Sequence, residues 1–297
     1  MPNITGHTEL VGLMAYPIRH TQSPTTHNLA YDKNGDDVIQ LAFEVDNDTL
    51  EAAVESIRAL KMLGSNISMP NKTVVHKYLD VVDEAAKLCG AINTVVNTRD
   101  KDGNVTGYLK GYNTDGMGYW QGIKEEGIDF KGMKMVLIGT GGAATAIAVR
   151  GALDGIAELH IFNIKDKFFE RAEGTKAKLA EKCPECVVTV DDLDDKAKRK
   201  DAIKACDILV NATIMGMKPH QDVTLVDKSL FRKDLVVADT VYNPEKTKMI
   251  LEAEEAGCKA IGGVGMLQQQ GAVNYGLFVG KEMPLAEYQE FQKAQAK

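Results

Sequence analysis

The chain has 297 residues, of which 44% are hydrophobic and 26% charged, and its formal net charge is -7. These values are ordinary for a globular protein, and the length suggests two domains rather than one. The acidic balance argues against a nucleic-acid-binding protein, and no apolar stretch reaches the roughly 20 residues of a membrane span. The N-terminus lacks the pattern of a signal peptide, so we expect a cytoplasmic protein.

The five cysteines are scattered along the chain and make a poor disulfide framework. Cys183 and Cys186 have C-x-x-C spacing, which occurs in redox and zinc sites, but no second ligand pair accompanies them. We therefore assign these two cysteines a structural or neutral role. No cluster of His, Cys and Asp suggests a metal site, and we expect no metal.

The first third of the chain alternates strand and helix patterns. Strands are predicted over 9–16, 38–45 and 63–69, and helices from Ser23 to about Lys33, over 46–60, and from Pro70 through Leu79. This order predicts an α/β domain with a largely parallel sheet. Ser23 precedes Pro24, which is typical of a helix N-cap followed by a first-turn proline.

Polar residues follow the predicted strands at the edge where such sheets bind ligands. Asn66, Ser68 and Lys72 lie at or just beyond the end of the third strand. Lys72 falls in a first helical turn, which is unfavourable for the helix dipole, although a solvated surface lysine is an equal alternative. Thr21 and Ser23 are two residues apart and either face one acidic ligand group together or leave Ser23 to cap its helix.

A hairpin is predicted from 91–96 and 105–109 around Asp102-Gly103-Asn104. A helix then starts at Asp115 and runs to about Glu126. Taken alone, Asp115 is more simply a helix cap than a catalytic group. The domain boundary is expected near this residue.

The first strand predicted in the second domain is the apolar run from Lys134 to Ile138, which is followed by small residues and a helix from Ala143 to Leu153. A strand, a tight turn and a helix N-terminus form a phosphate-binding unit, with Gly139 making the turn and Gly141 admitting a pyrophosphate. The next strand is Glu158–Phe162, and a ribose-binding acid is expected just past it. The residues assigned to this dinucleotide site are Gly139, Thr140, Gly141, Gly142, Ala143, Asn163 and Asp166.

Further strands are predicted at 187–190, 207–211, 235–239 and 258–261. The charged segment 191–205 is predicted to be a solvated linker helix. A last helix, about Leu267 to Phe278, is expected to return to the first domain.

Together these pieces resemble the shikimate/quinate dehydrogenase family over nearly the whole chain. The matching stretches, in family order, are 17–24, 66–72, 90–94, 112–116, 139–144, 211–213, 241–244 and 265–272. The Ser-Met-Pro-Asn-Lys form of residues 68–72 is most similar to the branch that accepts either substrate. The resemblance implies a substrate domain of residues 1–114, completed by 266–297, and a Rossmann-like NAD-binding domain of 115–265.

The resemblance also implies the activity: reversible, NAD-dependent hydride transfer between shikimate or quinate and the 3-dehydro ketone, as in aromatic amino acid and chorismate biosynthesis. Lys72 and Asp115 would be the catalytic pair, and a lysine of lowered pKa can exchange the hydroxyl proton. The implied substrate contacts are Thr21, Ser23, Asn66, Ser68, Asn93, Tyr242 and Gln270. The further cofactor contacts are Thr213, Met217, Gly265 and Met266, and the protein would be a monomer or homodimer.

Two departures from the family pattern concern specificity. The first carboxylate-binding hydroxyl is usually a serine and is Thr21 here. Members that use NADP usually carry Asn-Arg-Thr after the second cofactor strand, whereas this chain has Asn163-Ile164-Lys165-Asp166. We therefore expect NAD with NADP disfavoured, although Lys165 and Lys167 could swing toward a phosphate.

Two alternatives remain open from the sequence. One is a catalytically silent NAD-sensing binding protein on the same scaffold, which would need neither Lys72 nor Asp115. The other is a different two-domain dehydrogenase, such as one for amino acids, which would explain the glycine turn but not residues 17–24 or 113–115.

Overall fold

The computed structural model of the chain describes residues 4–166, 168–287 and 289–290. The chain divides into two compact units. The first unit contains Met1–Thr114 and Gln270–Lys297, and the second unit contains Asp115–Gln269. Which ligand each unit binds stays a prediction at this point.

The first unit contains a six-stranded sheet and α-helices. The strands are β1 (Glu9–Ala15), β2 (Val38–Glu44), β3 (Gly64–Ile67), β4 (Val81–Val82), β5 (Thr94–Arg99) and β6 (Val105–Tyr112). The helices are α1 (Ser23–Asn34), α2 (Leu50–Ala59) and α3 (Glu84–Cys89).

The strand order of this sheet is β2-β1-β3-β5-β6-β4. β1 pairs in parallel with β2 and β3, whereas β5 runs antiparallel to β3 and to β6. The predicted hairpin is thus inserted into an otherwise parallel sheet. On one face, the fully buried Leu50, Val54 and Ile57 of α2 pack in the core, because their spacing places them on one side of the helix.

The predicted helix from Pro70 through Leu79 is wrong. Two short 3-10 turns, Asn71–Thr73 and Val75–Tyr78, replace it, and β4 and α3 follow without having been predicted. The β-branched run of Thr73, Val74 and Val75 disfavours an α-helix. In addition, the buried Asn71 donates a side-chain hydrogen bond to the Val45 carbonyl at 2.8 Å, which fixes the turn from outside its own segment.

The second unit contains a fully parallel six-stranded sheet flanked by helices. Its strands are β7 (Lys134–Ile138), β8 (Glu158–Asn163), β9 (Val187–Asp192), β10 (Ile208–Asn211), β11 (Val236–Asp239) and β12 (Lys259–Ile261). Its helices are α4 (Asp115–Glu125), α5 (Gly142–Leu153), α6 (Phe169–Lys182), α7 (Lys196–Ala205) and α8 (Lys248–Glu255). A last helix, α9 (Val264–Val279), starts in the second unit and ends in the first.

The strand order β9-β8-β7-β10-β11-β12 is that of a dinucleotide-binding Rossmann fold. The order reverses between β7 and β10, and ligands in such sheets bind at the carboxyl ends of the strands beside that reversal. The segment predicted as one linker helix, 191–205, instead finishes β9 and then forms α7, of which Ile203 is the buried residue. The two-domain α/β class predicted from the sequence is confirmed.

Cys183 and Cys186 form a turn at the end of α6, in which the Cys186 backbone N–H donates to the Cys183 carbonyl at 2.9 Å. Cys186 is a buried thiol, and burial raises its pKa to about 11, so that it stays protonated near neutral pH. Among the described residues, no group of three or more His, Cys, Asp or Glu side chains is arranged to hold a metal ion. None of the helices in the described ranges combines the length and apolar character needed to cross a membrane.

Candidate active site

The loop between β1 and α1 carries the two hydroxyls predicted to bind a carboxylate. The Thr21 hydroxyl accepts a hydrogen bond from the Ser23 backbone N–H at 3.2 Å. The expected N-cap role of Ser23 is wrong, because Gln22 is the N-cap residue and Ser23 is the first residue of α1. Both hydroxyls nevertheless lie at the positive end of the helix dipole, a setting that favours an anionic group.

Asn66 lies in a buried polar network near the carboxyl end of β3. It is 8% exposed, and its Oδ1 accepts a hydrogen bond from Nε2 of the fully buried Gln40 at 2.9 Å. Its Nδ2 donates to the Thr94 hydroxyl at 3.4 Å. Ser68 follows the strand and remains half-buried. The structure thus brings Asn66 and Ser68 to the same strand end, where two side-chain hydrogen bonds hold Asn66.

Lys72 lies in the middle of the first 3-10 turn and is half-buried. Its carbonyl accepts a hydrogen bond from the Ile92 backbone N–H at 2.8 Å, which ties the turn to the segment preceding β5. Because the turn is not part of an α-helix, the dipole argument that singled out Lys72 does not hold. Its interest now rests on its position, one residue after the buried Asn71.

Asn93 fixes the chain just before Asp115. Its Oδ1 accepts hydrogen bonds from the Thr114 backbone N–H at 2.9 Å and from the Thr114 hydroxyl at 3.1 Å. Asn93 is 3% exposed and Thr114 is fully buried, so these bonds form in a site of low polarity, where they are strong. Asp115 is the next residue, half-buried at the start of α4 and at the first position of the second unit.

α9 contributes Gln270 and, one turn later, Asn274. The Asn274 Oδ1 accepts hydrogen bonds from the Thr94 and Thr114 hydroxyls, each at 2.8 Å. Residues at i and i+4 share a helix face, so Gln270 lies on the side of α9 that carries this network. Gln40, Thr94, Thr114 and Asn274 were not assigned a role from the sequence. The helical spacing from Gln270 is the one signal that could have indicated Asn274.

The glycine turn after β7 has the geometry that the sequence predicts. Gly139 has a φ of +111°, and a Cβ atom there would lie 2.7 Å from the Ala212 carbonyl oxygen, so that only glycine fits. Gly141 is the N-cap residue of α5, and a Cβ on Gly141 or Gly142 would meet no atom within 4 Å. The backbone at the start of α5 is therefore open to a close-approaching ligand. Ala144 is 1% exposed, as the close helix packing of this motif requires.

Two further residues of the turn line the same helix start. Ala143 is half-buried in the first turn of α5. Thr140 is 5% exposed, and within the described part of the chain its buried hydroxyl has no hydrogen-bond partner. A buried hydroxyl without a partner is costly unless a ligand satisfies it.

Asn163 and Asp166 form a small hydrogen-bonded unit after β8. The Asp166 Oδ1 accepts from Nδ2 of Asn163 at 3.0 Å and from the Phe168 backbone N–H at 2.9 Å. Ile164 is 47% exposed, and Lys165 forms an ion pair with Asp192 at 3.5 Å. Lys167 lies outside the described residues.

The loops after β10, β11 and β12 carry the remaining cofactor candidates. Asn211 holds Thr213 in place. The Asn211 Oδ1 accepts hydrogen bonds from the Thr213 backbone N–H at 3.2 Å and from the Thr213 hydroxyl at 2.7 Å. Met217 and Tyr242 are 39% and 55% exposed. Gly265 and Met266 begin α9 and are half-buried. The structure therefore places Tyr242, predicted as a substrate contact, in the second unit together with the cofactor candidates.

A family model for the shikimate dehydrogenase substrate binding domain matches residues 13–95. A quinate/shikimate dehydrogenase from Escherichia coli (strain SMS-3-5 / SECEC) is 49% identical over 284 residues, which cover 95% of this chain and 96% of the relative. The chain belongs to the shikimate/quinate dehydrogenase family. The family resemblance seen in the sequence is confirmed, and as a member of the family the protein is an oxidoreductase.

Solved structures of the family share the fold along almost the whole chain. Shikimate 5-dehydrogenase from Listeria monocytogenes, in complex with shikimate and NAD, has a TM-score of 0.92 and 45% identity, covering 98% of this chain and 99% of that chain. A shikimate dehydrogenase in complex with NADP+ has a TM-score of 0.82 and 34% identity, covering 97% of this chain and 95% of that chain. The family therefore includes members bound to either nicotinamide dinucleotide.

Proposed function

We propose that this protein oxidises a secondary hydroxyl of shikimate and of quinate with NAD, and reduces the corresponding 3-dehydro ketones in reverse. The observation that carries the proposal is the buried network in the first unit. It holds the side-chain amides of Asn66 and Asn93 and positions the chain at Thr114, directly before Asp115. A hydroxylated ring needs such fixed polar groups, because a preorganised site loses less entropy on binding.

In this proposal Lys72 and Asp115 are the catalytic pair. When hydride leaves the carbinol carbon, its hydroxyl must lose a proton, and Lys72 Nζ accepts that proton in its neutral form. In the reverse direction the ammonium donates the proton to the carbonyl oxygen. Asp115 binds the reacting hydroxyl and holds the lysine in place. The nicotinamide ring supplies the hydride chemistry.

The remaining polar residues of the first unit are proposed to orient the substrate. Thr21 and Ser23 bind its carboxylate at the start of α1, where the helix dipole favours an anion. Asn66, Ser68, Asn93 and Gln270 contact ring hydroxyls, and Tyr242 of the second unit completes the set. Each buried amide that is matched to a hydroxyl also rejects analogues without that hydroxyl, since the amide would be left unpaired.

The second unit is proposed to hold the dinucleotide along the crevice where its strand order reverses. The pyrophosphate would lie on the start of α5, bound by backbone N–H groups of residues 140–143, and the Thr140 hydroxyl would gain a partner there. Asn163 and Asp166 would bind the adenosine ribose. Thr213, Met217, Gly265 and Met266 would line the nicotinamide end.

NAD is proposed as the preferred cofactor. The Asp166 carboxylate would face the 2′-phosphate of NADP, and like charges repel strongly in a partly desolvated site. Ile164 offers no donor to that phosphate, whereas an arginine would pair with it bidentately. Lys165 is 70% exposed and already lies near Asp192, so it offsets the repulsion only weakly.

One assay tests these assignments together. Purified protein is given shikimate or quinate with either NAD or NADP, and reduced cofactor is followed by absorbance at saturating substrate. We expect turnover of both substrates with NAD and at least about tenfold lower kcat/KM with NADP, equivalent to about 1.4 kcal/mol. Binding of NAD without turnover of either substrate would instead indicate the silent sensor, and light scattering of the same sample distinguishes a monomer from a homodimer.

A further inference from the structure

Asp239 is a buried carboxylate at the carboxyl end of β11, on the edge of the second unit's sheet where the cofactor is proposed to bind. It is 2% exposed. Its Oδ1 accepts hydrogen bonds from Nδ2 of Asn211 and from the Val241 backbone N–H, both at 3.0 Å. Its Oδ2 accepts from the Thr247 hydroxyl at 2.7 Å. Burying a carboxylate costs free energy, and these three hydrogen bonds from neutral donors offset part of that cost without supplying a positive charge.

The partners of Asp239 hold the loop after β10. Asn211 binds Thr213 through its Oδ1 and donates from Nδ2 to the Met215 carbonyl at 3.0 Å. The Thr247 side chain packs on Gly216, where a Cβ atom would lie 3.0 Å from its methyl group. The segment 213–217, which contains two of the proposed cofactor contacts, is therefore anchored through side chains that bind Asp239.

The loops after β11 and β12 meet at the same point. Asp239 fixes the Val241 backbone directly before Tyr242. The Gly263 backbone N–H donates to the Val241 carbonyl at 3.2 Å, and a Cβ on Gly263 would lie 2.4 Å from the Thr240 carbonyl oxygen. Gly263 precedes the start of α9, which carries Gly265 and Met266. The loops after β10 and β11 are thus held through direct hydrogen-bond partners of Asp239, and the loop after β12 is held through the Val241 backbone.

The electrostatic setting of Asp239 is unusual for a structural hydrogen-bond acceptor. Its hydrogen-bond partners lie on β10, just after β11 and at the N-cap of α8, and all are neutral donors. The ionisable side chain facing it from α4 is Tyr119. Burial raises the pKa of Asp239 to about 6, against the opposing effect of its hydrogen bonds. Burial, and then the charge of Asp239, raise the pKa of Tyr119, which stays neutral.

We propose that Asp239 is a positioning residue for the cofactor: its ionised carboxylate holds the loops after β10, β11 and β12 in the arrangement that binds the nicotinamide end of the dinucleotide. The inference rests on the proposed function, which assigns these loops to the cofactor. The ionised form is the one that supports NAD binding in this proposal, because the three groups that contact the carboxylate, from Asn211, Val241 and Thr247, are all hydrogen-bond donors. Protonation relieves the cost of the buried charge, but a proton on Oδ2 competes with the Thr247 hydroxyl for that oxygen and so changes the loop arrangement that binds NAD.

The test compares NAD affinity of the full chain in the absence of substrate, by calorimetry, for wild type and Asp239→Asn. In the variant, the amide oxygen still accepts the hydrogen bonds from Asn211 and Val241. The NH2 group takes the place of Oδ2 and cannot accept a hydrogen bond from the Thr247 hydroxyl. We expect NAD affinity to fall about tenfold at pH 8, the size of one lost hydrogen bond to a charged group. Asp201→Asn is the matched control, since Asp201 is an exposed acid on α7 and the charge change is the same.

The pH dependence separates positioning from a purely structural role. Wild-type affinity for NAD should weaken as the pH falls from 8 to 5, with a midpoint near the Asp239 pKa of about 6, and Asp239→Asn should lack this transition. Shikimate affinity, measured without cofactor, should fall less than NAD affinity, because Tyr242 alone among the proposed substrate contacts lies on the loops that Asp239 holds. A variant of lowered melting temperature that keeps wild-type NAD affinity across this range would overturn the inference.

A second pair of variants tests the same link without removing the charge. Thr247→Val deletes the donor to Oδ2, together with the acceptor for the Ile250 backbone N–H at the start of α8, and should weaken NAD binding. Thr247→Ser keeps both hydrogen bonds, loses the methyl contact with Gly216, and should bind NAD more tightly than Thr247→Val. The double variant Asp239→Asn/Thr247→Val should bind no more weakly than the weaker single variant, because both remove one contact. Unchanged affinity in Thr247→Val overturns the inference even if Asp239→Asn does not fold.

The experiments distinguish an error in the proposed function from an error in the proposed role of Asp239. A wild-type protein that binds NAD but turns over neither shikimate nor quinate loses its substrate assignment, while the comparison of NAD affinities still decides the role of Asp239. A wild-type protein that binds neither NAD nor NADP overturns both.

Discussion

The charge on Asp239 should make the second unit less stable as the pH rises. The pKa of this carboxyl is about 6 in the folded protein, against 3.8 as the ordinary value. A raised acid pKa means that the folded state binds the proton more tightly than the unfolded state. Its contribution to stability is therefore complete below pH 3.8 and is lost as the pH rises through 6. Between pH 4.5 and 7.5, stability is lost only up to the folded pKa of about 6. This range of about 1.5 pH units corresponds to a decrease of about 2 kcal/mol in the free energy of unfolding.

The single tryptophan gives a probe of the right unit. Trp120 lies in α4, is 1% exposed, and donates its indole N–H to the Ile147 carbonyl at 2.9 Å. Urea unfolding followed by its fluorescence at both pH values yields the free energy of unfolding. Because other groups also titrate, the quantity to compare is wild type minus Asp239→Asn, which should decrease by about 2 kcal/mol on going to pH 7.5. A difference that stays constant, or that grows with pH, would refute the reasoning, and Asp201→Asn should show no such change.

Four further outcomes are expected. Lys72→Ala should lower kcat by about 10²–10⁴ while NAD affinity changes little, with the exposed Lys77→Ala as the control; near-normal turnover would remove Lys72 from the mechanism. Thr21→Ser should raise kcat/KM for quinate more than for shikimate, because the lost methyl group leaves room for the bulkier ring; a larger gain for shikimate would contradict this. Gly139→Ala should destabilise the second unit by about 1–3 kcal/mol from backbone strain alone, whereas Gly174→Ala, in open space within α6, should not; equal melting temperatures would argue against the strained turn. Ile164→Arg combined with Asp166→Thr should move the cofactor preference toward NADP, as measured by the ratio of kcat/KM values.

Local sequence patterns predicted the parts of the fold that depend on local rules. The turn at Gly139 was predictable because an apolar strand, a run of small residues and a helix pattern follow one another, and a positive φ there demands glycine. The hairpin around Asp102-Gly103-Asn104 was also predictable from local sequence, because two strand patterns flank a short turn that contains glycine. Its turn is closed by Asp100, whose Oδ1 accepts from the backbone N–H groups of residues 102 and 104.

The sequence failed where a distant partner decides the structure. The helix predicted from Pro70 was prevented in part by the bond from Asn71 to the Val45 carbonyl, 26 residues away. The roles of Gln40 and Asn274 were missed because their partners, Asn66 and Thr94, lie 26 and 180 residues away in sequence. No periodicity reveals such pairings; an acid ending an apolar strand, as Asp239 does, is at most a hint.

The cofactor switch depends on whether Asp166 is a discriminating group or only a turn residue. Its Oδ1 already accepts from Asn163 and from the Phe168 backbone, so the turn needs one oxygen, which the hydroxyl of a threonine can supply. The substitution Asp166→Thr should therefore keep the turn and remove the charge that opposes the 2′-phosphate. Ile164 is 47% exposed, so an arginine can extend from this position without displacing buried groups. A guanidinium binds phosphate through two parallel hydrogen bonds, whereas Ile164→Lys, the matched control, adds the same charge without the fork and should shift the ratio less. Equal efficiency of wild type with both cofactors would contradict the assignment of Asp166, and an unchanged ratio in the double variant would show that the phosphate binds elsewhere.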